Sequence, residues 1–332
     1  MESIVSPNPI FSLNLSRPPF GRISPSLKVM QPRIIAIDMD GTLLNSDGHV
    51  SSRNHAALRL AESSGIEIVV ATGRRHGYAM RVLHDLNLCA TSALVSSNGT
   101  VIRTISSELL DRTHMPLTTA RWLCDHLKDF RNTLVLTFDL VDSNCEDTRG
   151  ALVVEHIDEL HASIGRWMRS NEPYIARVSR LEDALHSTPP IQMMLCGPVA
   201  RMAEAEARLL QHPFVTAVGE HETANAEITL HRTIYPENDL SIVDILPAGC
   251  SKASALQYLA HLRGITTNEI LAIGDNWNDV PMLRLAGQSV LMSNAPAELI
   301  TLAHTSGWTI APSNDQDGVA VVIEAALAQV PA

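Results

Sequence analysis

Asp38 and Asp40 stand two residues apart in the stretch Asp38-Met39-Asp40-Gly41-Thr42-Leu43-Leu44, directly after the apolar run Ile34 to Ile37. Two carboxylates at that spacing face one pocket if the strand ends between them and the chain turns, and Gly41 permits the turn. Ionised together they repel, so one is driven toward its protonated form unless a cation compensates. One acid can then attack an electrophile such as phosphorus while the other protonates the leaving oxygen. Acids that merely cap a loop before a helix are the plainer reading. It suits a lone D-x-D better than D-x-D-G-T after an apolar strand.

A second carboxylate group, Gly274-Asp275-Asn276-Trp277-Asn278-Asp279, also follows an apolar run. Its hard oxygens suit magnesium, which prefers near-octahedral geometry and keeps several waters. Asp and Asn also favour helix N-caps, and the two roles are compatible. Ala71-Thr72-Gly73-Arg74 puts a hydroxyl and small residues where backbone N–H groups can cradle phosphate. Lys252, in Gly249-Cys250-Ser251-Lys252, falls at an expected helix start, against the helix dipole. That placement points to a task such as neutralising charge on a transferring phosphoryl group. Ser96-Ser97-Asn98-Gly99 is an ordinary turn until its place at a strand end is considered. Alone, each reads better as a loop threonine, a solvated lysine or a turn; together they carry the chemistry. The fourteen histidines show no metal-binding spacing, and no P-loop is present. Met193 and Met194 read as core.

These residues need a scaffold. Arg33 to Met39, Glu67 to Thr72, Ala93 to Ser97, Leu240 to Leu246, Ile270 to Gly274 and Ser289 to Met292 are short apolar runs, as in buried parallel strands. Helices are expected over Ala56 to Ser64, Gly77 to Leu86, Ser251 to Leu262, Val280 to Leu285 and Gly318 to Ala328. Alternation of the two predicts an α/β core, an open parallel sheet with helices on both faces, whose chemistry sits at the carboxyl ends of the strands. Asp38, Thr72, Ser97 and Asp275 all fall at such ends. Between Asn98 and about Asn238 the rhythm changes. Strands are expected over Leu134 to Phe138, Ala151 to Val154, Ile191 to Cys196 and Phe214 to Val218. Helices are expected over Ala120 to Lys128, Ile157 to Ser170 and Val199 to Gln211. A segment this long is no loop; it reads as an inserted α+β lid. The expected division is a leader over 1–30, a core over 31–103 and 239–332, and a cap over 104–238.

A chain of 332 residues with 45% apolar residues can bury a core, and a net charge of −11 argues against a nucleic-acid surface. No apolar run is long enough to span a bilayer. The five cysteines are scattered and odd in number, which fits reduced thiols in a cytoplasmic compartment. The proline-rich first thirty residues read as a flexible extension. Organelle import through them is the other reading, because Arg17, Arg22 and Lys28 face a single acid, Glu2.

Taken together, D-M-D-G-T-L-L, A-T-G-R, S-N-G, the lysine element and G-D-N-W-N-D resemble the haloacid dehalogenase superfamily in order and spacing, and most of all its Cof-type hydrolases, subfamily IIB. Val290-Leu291-Met292-Ser293-Asn294-Ala295 and Asp317-Gly318-Val319 agree further. The resemblance implies a Rossmann-like core with a type-2 cap, because the 33 residues from 39 to 71 leave no room for a cap domain there. It also implies an Mg2+-dependent phosphatase acting on a small phosphorylated metabolite, such as a sugar phosphate. Asp38 would form an aspartyl-phosphate, and Asp40 would protonate the leaving group and then activate water. Thr72 and Lys252 would hold phosphoryl oxygens, with Gly73, Arg74, Asn98, Gly99 and Asn278 on the substrate. Asp38, the Asp40 carbonyl, Asp275 and Asp279 would form or orient the metal site. Ala253 departs from the usual glycine, and Trp277 is a bulky residue placed to shape the substrate pocket. A phosphomutase and a catalytically silent ligand-binding module are the competing readings.

Overall fold

The computed structural model describes residues 31–155, 164–186, 188–218 and 225–328. The leader over 1–30, and residues 157–163 of the helix expected over 157–170, lie outside them. Along the chain come Ile34–Ile37 (β1), Glu67–Ala71 (β2), Ala93–Ser96 (β3), Val101–Thr104 (β4) and Leu109–Arg112 (β5). Leu134–Thr137 (β6), Leu152–Val154 (β7), Ile175–Arg177 (β8), Gln192–Gly197 (β9), Val215–Ala217 (β10), Ile228–Tyr235 (β11) and Leu240–Pro247 (β12) follow. Ile270–Gly274 (β13), Gln288–Met292 (β14) and Thr309–Ala311 (β15) complete the set.

One eight-stranded sheet runs β15-β14-β13-β1-β2-β3-β4-β5, parallel as far as β3 and antiparallel over the last two strands. Alternate residues of each parallel strand enter opposite clusters. Ile35, Ile37, Ile68, Val70 and Ile273 pack under helices Ser52–Ser63 and Gly318–Ala328. Ile34, Ala36, Val69, Ala71 and Ala272 pack under helices Lys252–Arg263 and Val280–Leu285. Burial on both faces is why these strands read as continuous apolar runs. Each fully buried Ile or Leu contributes roughly 1.5–3 kcal/mol, which offsets the cost of the charges held at the sheet's end.

The seven-stranded sheet runs β10-β11-β12-β9-β6-β7-β8 and is mostly antiparallel. Here one expectation fails. Leu240 to Leu246, expected in the parallel sheet, is the central β12 of this second sheet, paired with β11 and β9. Its residues are covered on both sides: Val243 and Ile245 enter one cluster and Leu240 and Ile242 another. A central strand between two covered faces has the composition of a parallel core strand, so residue types alone misplaced it. Similarly, β4 and β5, within or beyond the expected boundary at 104, extend the first sheet. Helix Ala297–Ser306 and strands β8, β11 and β15 were not anticipated.

Two buried histidines sense this packing. Burial is the main reason that both His76 and His231 are pushed down to about 4. A base depressed in the native state gives stability that is present above its unfolded value and lost as pH falls. Each histidine should therefore remove up to about 1.4 kcal/mol per pH unit between roughly pH 6.5 and pH 4. Urea unfolding of wild type and His231→Gln across that window should show a shallower loss in the variant. Equal slopes would contradict the neutral, buried assignment.

Candidate active site

The parallel strands end together. Asp38 follows β1, Thr72 follows β2, Ser97 follows β3 and Asp275 follows β13, because neighbouring strands are in parallel register. Lys252, whose side chain has 0% exposure, rises from the start of its helix into this cluster. Its Nζ donates to Asp38 Oδ1 at 2.5 Å and to Asp279 Oδ1 at 2.6 Å. Burial works against the lysine's charge, but Asp279 and Asp38 outweigh it and hold the ammonium protonated. A reciprocal Ser251–Ser254 capping box fixes the helix start.

Asp279 holds its own loop together as well: Oδ2 accepts from the backbone N–H of Asp275 at 2.9 Å and of Asn276 at 3.0 Å. Thr42 donates its hydroxyl to Asp275 Oδ1 at 3.0 Å, a contact that spacing did not predict. Gly41, at φ +80°, lies so close to Asp275 that an added Cβ would sit 2.3 Å from Oδ2. This close approach, as much as the turn, requires glycine.

Asp40 faces Arg74 instead of Lys252. Arg74 Nε and Nη2 donate to the two Asp40 oxygens at 2.8 and 2.5 Å, a bidentate pair. Thr72 is buried, its Oγ1 accepting from the Arg74 N–H at 3.1 Å. Asn98 is also fully buried, at φ +53° after Ser97 at φ +49°. Such conformations cost about 1–3 kcal/mol each unless held. Asn98 Nδ2 donates to Asp244 Oδ2 at 2.8 Å, and its Oδ1 accepts from Asn278 at 3.2 Å. Gly99 meets the lysine helix: an added Cβ would lie 2.2 Å from the Ser251 carbonyl oxygen.

Above these residues lies a cavity of about 260 Å³ between the strand ends and the second sheet. Asp38, Asp40, Gly73, Arg74, Asp275 and Asn278 line it; Thr72, Lys252, Asp279, Asn98 and Gly99 stand behind. Trp277, expected to shape the pocket, packs against the hydrophobic cluster instead. From the second sheet, Thr137, Leu152, Gln192, Met194, Thr233, Tyr235, Ile242 and Asp244 close the cavity. Ion pairs join the β6–β7 connection to the first layer: Arg75, before helix His76–Leu83, to Asp147 at 3.1 Å, and Arg103 of β4 and Arg112 of β5 to Asp139 at 2.8 Å.

Asp38, Asp275 and Asp279 bring carboxylate oxygens within 4.8 Å of one another, and all three are buried. Lys252 is the cation in contact with this group, so three negative charges meet one positive charge. Desolvation, followed by the neighbouring Asp279, pushes Asp38 up to about 7. Desolvation and the Asp38 charge raise Asp275 as well. The donor set and its charge excess fit a hard divalent cation.

Sequence comparison agrees with this geometry. The family model for haloacid dehalogenase-like hydrolases matches residues 35–323. The chain belongs to that family and is an enzyme of the hydrolase class. It is 28% identical over 307 residues to 5-amino-6-(5-phospho-D-ribitylamino)uracil phosphatase YwtE of Bacillus subtilis, covering 88% of this chain and 97% of that one. It is also 28% identical over 308 residues to endoribonuclease YBEY, chloroplastic, of Arabidopsis thaliana, covering 90% of this chain but only 47% of that protein. Among solved structures, a haloacid dehalogenase-like hydrolase from Bacteroides thetaiotaomicron matches with a TM-score of 0.66 and 26% identity, covering 89% of this chain and 99% of the other.

Removing the lysine should expose its role in stability. Lys252→Met leaves Asp38 and Asp279 buried without compensation, so urea unfolding in EDTA should fall by about 3–5 kcal/mol. A loss below about 1 kcal/mol would mean that these charges are held by something other than the ammonium.

Proposed function

We propose that the chain is an Mg2+-dependent phosphatase of small phosphorylated metabolites, working through an aspartyl-phosphate on Asp38. The observation that carries this reading is the placement of Asp38 in the lining of a cavity, with Asp40 and Arg74 beside it and Lys252 behind. An Asp38 oxygen attacks phosphorus, the bond from phosphorus to the leaving oxygen breaks, and Asp40 supplies that oxygen's proton. Water then attacks the aspartyl-phosphate, Asp40 takes its proton, and phosphate departs with Asp38 restored.

Both Asp40 oxygens accept from Arg74 in this structure, so protonating Asp40 weakens that pair and frees the guanidinium for the phosphoryl oxygens. Lys252 screens the charge on Asp38 as the oxyanion approaches. Thr72 orients the Arg74 backbone, and Asn98 orients Asn278, which lines the cavity. Asp38, the Asp40 carbonyl and Asp275 would hold magnesium, with Asp279 orienting the Asp275 loop and Lys252. When bound, the ion supplies positive charge to the phosphoryl oxygens and keeps the buried carboxylates ionised. Residues 113 to 247 serve as the cap that excludes water and selects the leaving group. YwtE's name describes a phosphate monoester bearing a ribityl chain and an aminouracil ring.

Phosphate release from a panel of phosphorylated metabolites should depend on magnesium and fall at least about 10³-fold in Asp38→Asn. The variant should unfold at an unchanged or higher urea concentration, since Asp38, Asp275 and Asp279 share one ammonium and one of those buried negative charges has been removed. Appreciable turnover by Asp38→Asn, or full activity after exhaustive EDTA treatment, would refute the mechanism. Sugar-phosphate turnover that requires a bisphosphate activator and releases no free phosphate would indicate a mutase.

Arg74→Lys keeps the charge but loses the two-pronged geometry, so kcat/KM should fall roughly 10- to 100-fold. A variant equal to wild type would show that the Asp40–Arg74 pair is incidental.

A further inference from the structure

The opening of the cavity is basic on one side. Arg74 and Arg75 line the cavity, and Arg81 and Arg169 line the wider groove that adjoins it. Arg74 is answered by Asp40 and Arg75 by Asp147. Arg81 hydrogen-bonds only to neutral groups, and Arg169 has no bonding partner among the described residues. Asp47, Glu237 and Asp315 line the same groove, but none of them forms an ion pair with either arginine. Two unmatched cations at one opening are unexpected in a chain of net charge −11.

Arg81 is exposed and yet held in place. From helix His76–Leu83, its Nη1 donates to the Ser170 carbonyl at 3.2 Å and its Nη2 to the Tyr174 hydroxyl. The guanidinium lies 4.9 Å from the Tyr174 ring centre and 5.5 Å from that of Tyr78. Arg74 stands over the same Tyr78 ring at 4.9 Å, so cations and phenol rings alternate from Asp40 out to the cap. Two of the five N–H bonds of Arg81 are used in this way, and the others meet no acceptor among the described residues. A strap between helix and cap would account for Ser170 and Tyr174. It would not account for Arg169, which adds a like charge to that rim and makes no bond there.

Arg75 stands behind them, 7% exposed. Its Nε and Nη1 are buried without hydrogen-bond partners, as is Asp147 Oδ2, so that ion pair is only partly satisfied. Those nitrogens are sealed off and act through their charge, not by contact. Burial pushes Arg75 below its ordinary range, Asp147 opposes that shift and Arg81 adds to it.

We propose that Arg81 and Arg169 form an anion subsite at the mouth of the cavity, which holds a second phosphate or a carboxylate carried by the leaving group. The substrate class is a phosphate monoester with an anion at its far end, such as a sugar bisphosphate or a phosphorylated sugar acid. Arg75 adds positive potential from behind. Arg74 and Arg81 both border the Tyr78 ring, a span that such a small molecule can bridge. An arginine fixed in advance loses little freedom when the anion arrives. The inference rests on the phosphatase reading and adds to it where the far end of the substrate is held.

The test compares wild type with Arg81→Gln and Arg169→Gln. The probes are a hexitol 6-phosphate, a 6-phosphohexonate, which differs from it by a terminal carboxylate, and a hexose bisphosphate. Wild type should favour the phosphohexonate or the bisphosphate over the hexitol phosphate by about tenfold or more in kcat/KM. Arg81→Gln should cut that preference about tenfold, mainly through KM. Arg169→Gln should cut it about threefold, and this side chain has no bond whose loss could disturb the fold. Equal losses on every probe would make Arg81 a strap between helix and cap and overturn the subsite. No preference for a second anion, together with inhibition by added sulfate that Arg81→Gln relieves, would assign the arginines to a free anion and overturn the substrate class. Calorimetry in the Asp38→Asn background, with and without Arg81→Gln, reads recognition without turnover. Affinity for the tighter-binding of the two probes with a second anion should weaken about tenfold, and an unchanged affinity refutes the proposal. If wild type releases phosphate from no probe, the phosphatase reading fails, and calorimetry alone judges the arginines.

Discussion

The ammonium group of Lys252 sits fully buried between the carboxylates of Asp38 and Asp279, at 2.5 and 2.6 Å. Taking such ions out of solvent costs several kcal/mol each, and only close, well-directed pairing offsets it. The lysine helix must therefore begin at one place. The Ser251–Ser254 box sets its first turn, and Gly99 lets the Ser97–Gly99 turn pass against the Ser251 carbonyl. Asp279 can meet the ammonium only because its other oxygen gathers the Asp275 and Asn276 N–H groups. The arrangement of the whole strand-end site follows from holding one buried cation in register with four strand ends.

That cation is insufficient by itself. Burial, and after it the neighbouring acids, raises Asp38 and Asp275, and the three carboxylates form a donor set that fits a hard cation. Stability and function pull in opposite directions here, since the acids that make the site reactive are also those that burial disfavours.

Much of this was legible in the residues. Asp38, Asp40, Thr72, Asp275 and Lys252 lie at element ends because periodicity locates strands and helices, and chemistry in an open parallel sheet gathers at carboxyl ends. Partnership was less legible. Arg74 pairing with Asp40, and Asn98 bridging Asp244 and Asn278, depend on how loops from distant strands meet. Thr42 lay within the first motif, yet its bond to Asp275 links the ends of the neighbouring strands β1 and β13 across 233 residues of sequence. β12 was misplaced because a strand covered on both faces has the same composition in either sheet. One signal was available there: Asp244 is the one charged residue in the run from Leu240 to Leu246. A charge in such a run calls for a partner or a ligand.

The chain leaves the first sheet after β5 and returns just past β12, and between those points it forms a sheet with its own hydrophobic cluster. The parallel strands make their hydrogen bonds without any residue from that stretch. The chain is thus built as a cassette in a frame: on the proposed reading, exchanging the stretch between the two crossings would change which molecules are chosen without rewriting the reaction performed on them. The join is not perfectly neutral, because Asp244 and Asn98 clasp hands across it. A transplanted cassette would have to bring an acceptor to that spot, or the strained turn beneath would be free to relax.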